Sequence, residues 1–335
     1  MVSDITVDRA GVAPTEAPDL GRQLEAHRVE LTAYCYRMLG SAFEAEDAVQ
    51  ETFVRAWRGF EAFEGRASFR SWLYRIATNV CLDMKAASQR RARPMDLGPA
   101  RSADKPLGTP LEETAWIEPI PDSRVVSASA DPVEAAIAKE SVRLAFVAAL
   151  QHLPARQRAI LILREVLRWQ ADEVAELLGT SVPAVNSALQ RARATLASKD
   201  VAPTGRASEL DEQQRALLAR YVKAFEQYDM DSLTAVLHED ATWNMPPYEL
   251  WLQTHLDIRK WCLGPGIGCQ GSRLIPVLAN GSPAFGQYKP DPNGGLAPWS
   301  LQVLEISGDK LSGITFFLDT ARLFPLFGLP AHLDH

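Results

Sequence analysis

The chain has 335 residues, 47% apolar and 23% charged, enough for two or three domains with buried cores. Four cysteines exclude a disulfide-stapled scaffold, and no apolar run approaches the roughly 20 residues of a membrane span. The N-terminus lacks the basic-then-apolar start of a secretion signal, so a cytoplasmic, membrane-free protein is expected. Net charge is −7 but unevenly spread: −3 over 1–19, +3 over 20–95, −4 over 96–131, +3 over 132–199 and −6 over 200–335. Two basic blocks flank an acidic linker, so nucleic acid has to be tested block by block.

In chain order, 1–19 reads as a disordered lead-in. Over 20–95 the pattern is helical. Leu24, Leu31, Cys35 and Met38 share one face, with Gly40 as a stop. Val49, Phe53, Trp57 and Phe60 define a second helix. A third opens at Ser68 as N-cap and carries Phe69, Leu73, Ile76 and Val80. Residues 96–131 read as an acidic, Pro-rich linker with an apolar island at Trp116-Ile117-Glu118-Pro119. Helices resume over 132–199. Residues 208–330 read as α+β, with helices first and then strands at Arg273–Ala279, Ala284–Tyr288, Trp299–Ile306 and Leu311–Leu318. Asn280-Gly281 marks a hairpin turn. The fold class is therefore multidomain: two all-α helical domains and a C-terminal α+β domain.

Gln170–Leu196 predicts a helix-turn-helix. Gly179 permits the turn, Ser181 caps the second helix and Pro183 suits its first turn. Val182, Val185, Leu189, Ala192 and Leu196 face inward. Asn186, Gln190, Arg191 and Arg193 face outward, with the amide and guanidinium chemistry that reads base edges and phosphates. An ordinary helical hairpin with a solvated face is the alternative. The helix after Ser68 interleaves Arg70, Arg75, Arg90 and Arg91 with Phe69, Trp72 and Tyr74, which suits unstacked bases and phosphates but equally a buried aromatic row with solvated arginines.

The motifs EAEDAVQETFVRAWR (44–58), SFRSWLYRIATNVCLD (68–83), LPARQRAILILREV (153–166) and the helix-turn-helix resemble extracytoplasmic-function sigma factors of bacterial RNA polymerase. The resemblance implies that Asp47, Gln50, Glu51, Phe53 and Trp57 bind the beta-prime clamp helices of core RNA polymerase. Arg66, Arg70, Arg75, Asn79, Asp83, Arg90 and Arg91 would read and help melt a −10 element. Arg156, Ser181, Asn186, Gln190, Arg191 and Arg193 would read a −35 element, with the beta flap as a second polymerase contact. The linker would thread toward the RNA exit path. Residues 216–247 and 299–319 resemble SnoaL-like cone domains, and Trp116, Ile117 and Pro119 resemble the linker motif of sigma factors carrying such a fusion. A regulatory cone, acting in cis, is implied.

Other chemistry is weakly supported. Gly266–Gly271 fits a dinucleotide-binding expression, but a strand follows it where that motif requires a helix, so it reads as a flexible loop. Cysteine and histidine spacing offers no metal site, and no cofactor is expected. Asp319 is the candidate for acid–base catalysis in the cone, ahead of His255 and Asp240; a plain turn-capping role explains it better. A small ligand in the cone is compatible with the fold. The alternative reading is a DNA-binding module tethered to a ligand-binding or enzymatic cone. A simple repressor would leave 20–93 without a role.

Overall fold

The computed structural model describes residues 17–65, 67–86, 90–104, 107–198 and 210–334. The expected lead-in lies outside them save its last residues, which already belong to helix α1 (Ala17–Ala26). Helices α2 (Arg28–Leu39), α3 (Ala42–Gly59) and α4 (Phe69–Ala86) complete the first block. Gly40 ends α2 at φ 77°, a conformation that a β-carbon disfavours, and Ser41 caps α3 by accepting from the Glu44 N–H. The inward face of α3 differs from the expected stripe. Ala45, Ala48, Val49, Thr52 and Ala56 are buried, whereas Trp57 is 49% exposed. Small side chains let α2 and α4 approach closely, a signal that counting large apolar residues misses. Every residue from Leu31 to Leu39 is buried, so α2 is central and not one-sided.

The linker departs most from expectation. It carries short helices α5 (Pro94–Leu97) and α6 (Asp122–Val125), and Trp116 to Asp122 is buried throughout. Ile117, Ile120 and Val125 join the same core as both helical blocks. Pro119 and Pro121 lack N–H groups, so an extended, proline-rich segment can be buried with fewer donors to satisfy.

The second block holds α7 (Pro132–Ser141), α8 (Leu144–Gln151), α9 (Ala155–Leu161), α10 (Ala171–Leu177) and α11 (Val182–Ala197). Gly179, at φ 59°, makes the turn between α10 and α11. The inward face of α11 is Val185, Ala188, Leu189 and Ala192, while Val182 at its start is exposed.

The third unit begins with α12 (Glu212–Gln227) and α13 (Met230–Val236). Strands β1 (Leu237–Asn244) and β2 (Trp251–Gln253) precede α14 (His255–Leu263). Then come β3 (Arg273–Ala279), β4 (Ser282–Pro290), β5 (Leu296–Ser307), β6 (Lys310–Phe317) and α15 (Thr320–Leu326). The sheet order is β2-β1-β6-β5-β4-β3, antiparallel except for the parallel β1–β6 pair. Side chains alternate along the strands. Phe285, Leu304 and Phe316 enter the core beneath α12–α14, whereas Ala284, Val303 and Phe317 enter the core shared with the helical blocks. The cone is thus packed against the rest of the chain through the β3–β6 part of one sheet face. Among the described residues, no helix is long and apolar enough to cross a membrane.

Candidate nucleic-acid interface

Three surfaces and one junction can be built from the residues upward. On α11, Ser181 accepts from the Ala184 N–H and fixes the helix start. Asn186, Gln190 and Arg191 are exposed along the outer face, with none of the described residues packed over them. Arg193 is paired with Glu165, and Arg156 donates to the Leu178 carbonyl at 2.7 Å, bracing the turn before α11. Free amides beside guanidinium groups on an open helix face can enter a major groove and read base edges.

The α4 surface is partly covered. Arg75, Asn79 and Asp83 recur every four residues and are exposed. Arg55, from α3, bonds both Glu51 and Asp83, coupling the α3 and α4 surfaces. At the other end Arg75 lines a cleft with Ser71 and Trp72, faced by Glu173 and Glu176 of α10. Arg70 is paired to Glu30 at 2.7 Å and lies 5.0 and 5.6 Å from the Tyr74 and Trp169 ring centroids. Trp169 is buried and packs on Tyr74 at 5.1 Å. The second block therefore sits on one end of α4. Arg66 lies outside the described residues. Phe63, just before it, stacks on Trp72 at 4.8 Å within a cluster that includes Phe60 and Phe69.

The expected basic continuation of α4 is not helical where it is described. Arg90 faces His152 of the second block. Arg91 is buried, donates to the Trp116 and Glu113 carbonyls and pairs with Glu44 at 2.9 Å. In this arrangement Arg91 is committed to the linker and unavailable to a phosphate. On α3, Asp47, Gln50, Glu51, Val54 and Trp57 form one exposed stripe, while Phe53 lies beneath the Arg28 guanidinium at 4.8 Å. Acids around exposed apolar groups make a surface for a partner protein.

The junction was not legible as a site. Asn280, fully buried at φ 57° in the β3–β4 turn, reaches three elements. Its Oδ1 accepts from Ile120 N at 3.0 Å, and its Nδ2 donates to Tyr36 Oη at 2.6 Å and to the Val142 carbonyl at 2.7 Å. Tyr36 Oη in turn donates to the Glu118 carbonyl. Gly281 N donates to Asp122 Oδ1 at 2.7 Å, and a β-carbon at Gly281 would meet the Lys139 carbonyl at 2.5 Å. One turn of the cone thus bonds the first block, the linker and the second block together. Arg322 of α15 makes a second tie, pairing with Glu113, Glu118 and Asp319 while lying 4.0 Å over the Phe43 ring. Only the Asn-Gly pair was visible beforehand, as a turn signal.

Burial pushes the Asp122 carboxyl up, and that of Glu118 as well. A carboxyl whose folded value is raised is favoured protonated in the packed state. The contribution of these two carboxyls to the packed state is therefore greatest below the ordinary carboxylate range, about pH 4, and is lost as pH rises through the raised folded values. Asp122→Asn should remove its part of that dependence. Thermal melting across this window checks it.

Asp319 does not enter the interior of the cone. It borders a cavity between linker and cone and lies 3.5 Å from Arg322. It starts α15, but its side chain makes no capping bond. His255 and Asp240 also lie outside the interior cavity. Overlapping Gly266–Gly271, Pro265–Cys269 form a 3-10 turn that lines that cavity, and the next element is strand β3 from Arg273 and not a helix. No cluster of metal-ligating side chains occurs among the described residues.

Two family models match the chain: Sigma-70 region 2 over 24–91 and Sigma-70, region 4 over 143–196. The chain is 47% identical over 322 residues to the ECF RNA polymerase sigma factor SigG of Mycobacterium tuberculosis, covering 94% of this chain and 85% of that protein. It is 29% identical over 213 residues to the probable ECF RNA polymerase sigma factor SigI of the same organism, covering 63% and 64%. Its fold is similar to the crystal structure of the M. tuberculosis extracytoplasmic function sigma factor SigJ, with a TM-score of 0.60 at 22% identity over 93% of this chain and 99% of that one.

Proposed function

Because the chain belongs to the extracytoplasmic-function family of RNA polymerase sigma factors, which bind core polymerase and direct it to promoters, we propose that its surfaces divide that work while the cone controls them in cis. The α3 stripe of Asp47, Gln50, Glu51 and Trp57 takes the beta-prime clamp helices, with Phe53 supporting it from below. The α4 face takes the −10 element and the α11 face the −35 element, with the second block also meeting the beta flap. The cone has a regulatory and not a catalytic role, in keeping with the position of Asp319 outside its cavity. The units are 20–95, 96–131, 132–199 and 208–330.

The observation that carries the regulatory part is Asn280. A side chain from the cone cannot bond both helical blocks and the linker while those blocks spread along a promoter. The form described here is then the closed one, and polymerase, DNA or another ligand that prefers an open form shifts the balance by its differential affinity.

Two expectations test the assignment. Trp57→Ala should leave the melting temperature nearly unchanged, since surface changes cost within about 0.5 kcal/mol. It should weaken core polymerase binding by about 30-fold if Trp57 is an interface anchor worth about 2 kcal/mol. A titration of labelled protein with core enzyme reads this, and unchanged affinity would remove α3 from the interface. Asn186→Ala and Gln190→Ala should each cost about 1–3 kcal/mol of promoter discrimination without altering polymerase affinity. Run-off transcription on a promoter library, compared with polymerase binding, separates the two effects.

A further inference from the structure

The interior of the cone holds a cavity of about 250 Å³, just under the usual size of small-molecule sites. Its wall is built from Phe225, Trp243, Met245, Trp261 and Phe316, and the linker closes part of it with Leu107. Among the described lining residues the sole charge is the Lys289 ammonium, which has no carboxylate partner and lies 3.2 Å from the Trp299 ring centroid. Nothing anionic opposes it. Burial pushes the Cys262 thiol up to about 12 and raises that of Cys269, and the Tyr228 hydroxyl already donates to the Cys262 and Gly266 carbonyls. Flat apolar walls and an unopposed cation suit a small aromatic molecule carrying one negative charge.

Trp299 and Leu318 also line the second cavity, of about 620 Å³, on whose far side stand Trp116, Ile117 and Pro119 of the linker. The two cavities therefore share a wall. An anion paired with Lys289 competes with the stacking that holds Trp299 in place. We propose that the interior cavity binds a planar aromatic monoanion of one or two fused rings, and that its charge, by drawing Lys289 off Trp299, loosens the seat of the linker.

The second half of this proposal rests on cis control by the cone; the first does not. The test uses the full chain, with 2-naphthoate as probe and neutral 2-naphthamide as its twin, followed by titration calorimetry and by protease cleavage of the linker. Expected are one saturable naphthoate site per chain, at least tenfold tighter than naphthamide, and at least threefold faster linker cleavage at saturation. Lys289→Met, with an unchanged melting curve, should abolish both the tenfold preference and the acceleration. No saturable binding, equal binding of the twins, or full preference in Lys289→Met overturns the site. Preferential binding with unchanged cleavage overturns the coupling. If naphthoate fails to bind while Asn280→Ala still opens the chain, the cavity proposal falls alone and cis control stands. If naphthoate binds but neither it nor Asn280→Ala alters cleavage, cis control is what fails.

Discussion

Asn280→Ala is expected to open the molecule. The substitution strips the Ile120 N–H and the Val142 carbonyl of their partner in a fully buried junction. Each unsatisfied buried group costs about 1–3 kcal/mol, and alanine in a left-handed conformation adds about 1–2 kcal/mol. The hydrogen-bond costs fall on the closed form, because water satisfies the same groups once the blocks separate, whereas the backbone cost stays with the β3–β4 turn in both forms. A net loss of about 3 kcal/mol shifts the closed-to-open ratio by about two orders of magnitude. Binding of the free protein to promoter DNA should strengthen, and the linker should be cut faster by protease, while far-UV dichroism is unchanged. Asn280→Asp keeps the acceptor for Ile120 N but turns a carboxylate oxygen toward the Val142 carbonyl in a fully buried site, so it should open the chain at least as far as alanine does. Wild-type DNA affinity and linker cleavage in Asn280→Ala would show that the turn is not a latch.

Arg158→Met should be the most destabilising single change outside the cone. The buried guanidinium of Arg158 donates to the carbonyls of Met38, Gln151 and Leu153 and to the Gln151 side chain. Burial lowers its pKa to about 10, so it remains charged at neutral pH. Methionine fills similar space but leaves four acceptors without a donor. The loss should be about 3–5 kcal/mol, near that of breaking a buried charged network, and the melting temperature should fall by roughly 10 °C. Because Met38 belongs to the first block and the other three acceptors to the second, the two blocks should also separate more readily. Arg158→Lys should recover part of the loss. A melting curve within a degree or two of wild type would mean the network contributes little.

Large periodic features were legible in the sequence, and small or long-range ones were not. Strand β3 falls where Arg273–Ala279 was expected, and the helix-turn-helix follows from Gly179, Ser181 and the 3.6-residue spacing of α11. Strand β1 was missed because His238, Glu239 and Asp240 interrupt alternation, and its register with β6 shifts between Leu237 and Thr242. Strand β2 is three residues long and offers no period. The apolar island of the linker was legible, but what it packs against was not, because proline and glycine content says nothing about the partners of an extended chain. The exposed α11 face follows from helix geometry, whereas that of α3 does not, because its buried residues are small. Asn280 does not, because its partners lie 138 to 244 positions away in the chain. Arg91 shows the same limit: composition marks it as basic, and only the fold reveals that the linker holds it.

The unequal exposure of the two helices assigned above to promoter DNA would set a sequence of events in time. The outer face of α11 is bare, while one end of α4 lies under α10 and Trp169. On the assignment above, the −35 element can be touched before the blocks part, and the −10 element only afterwards. Footprints taken at successive times would then protect the −35 region first, and strand opening would lag it by the interval the junction takes to let go.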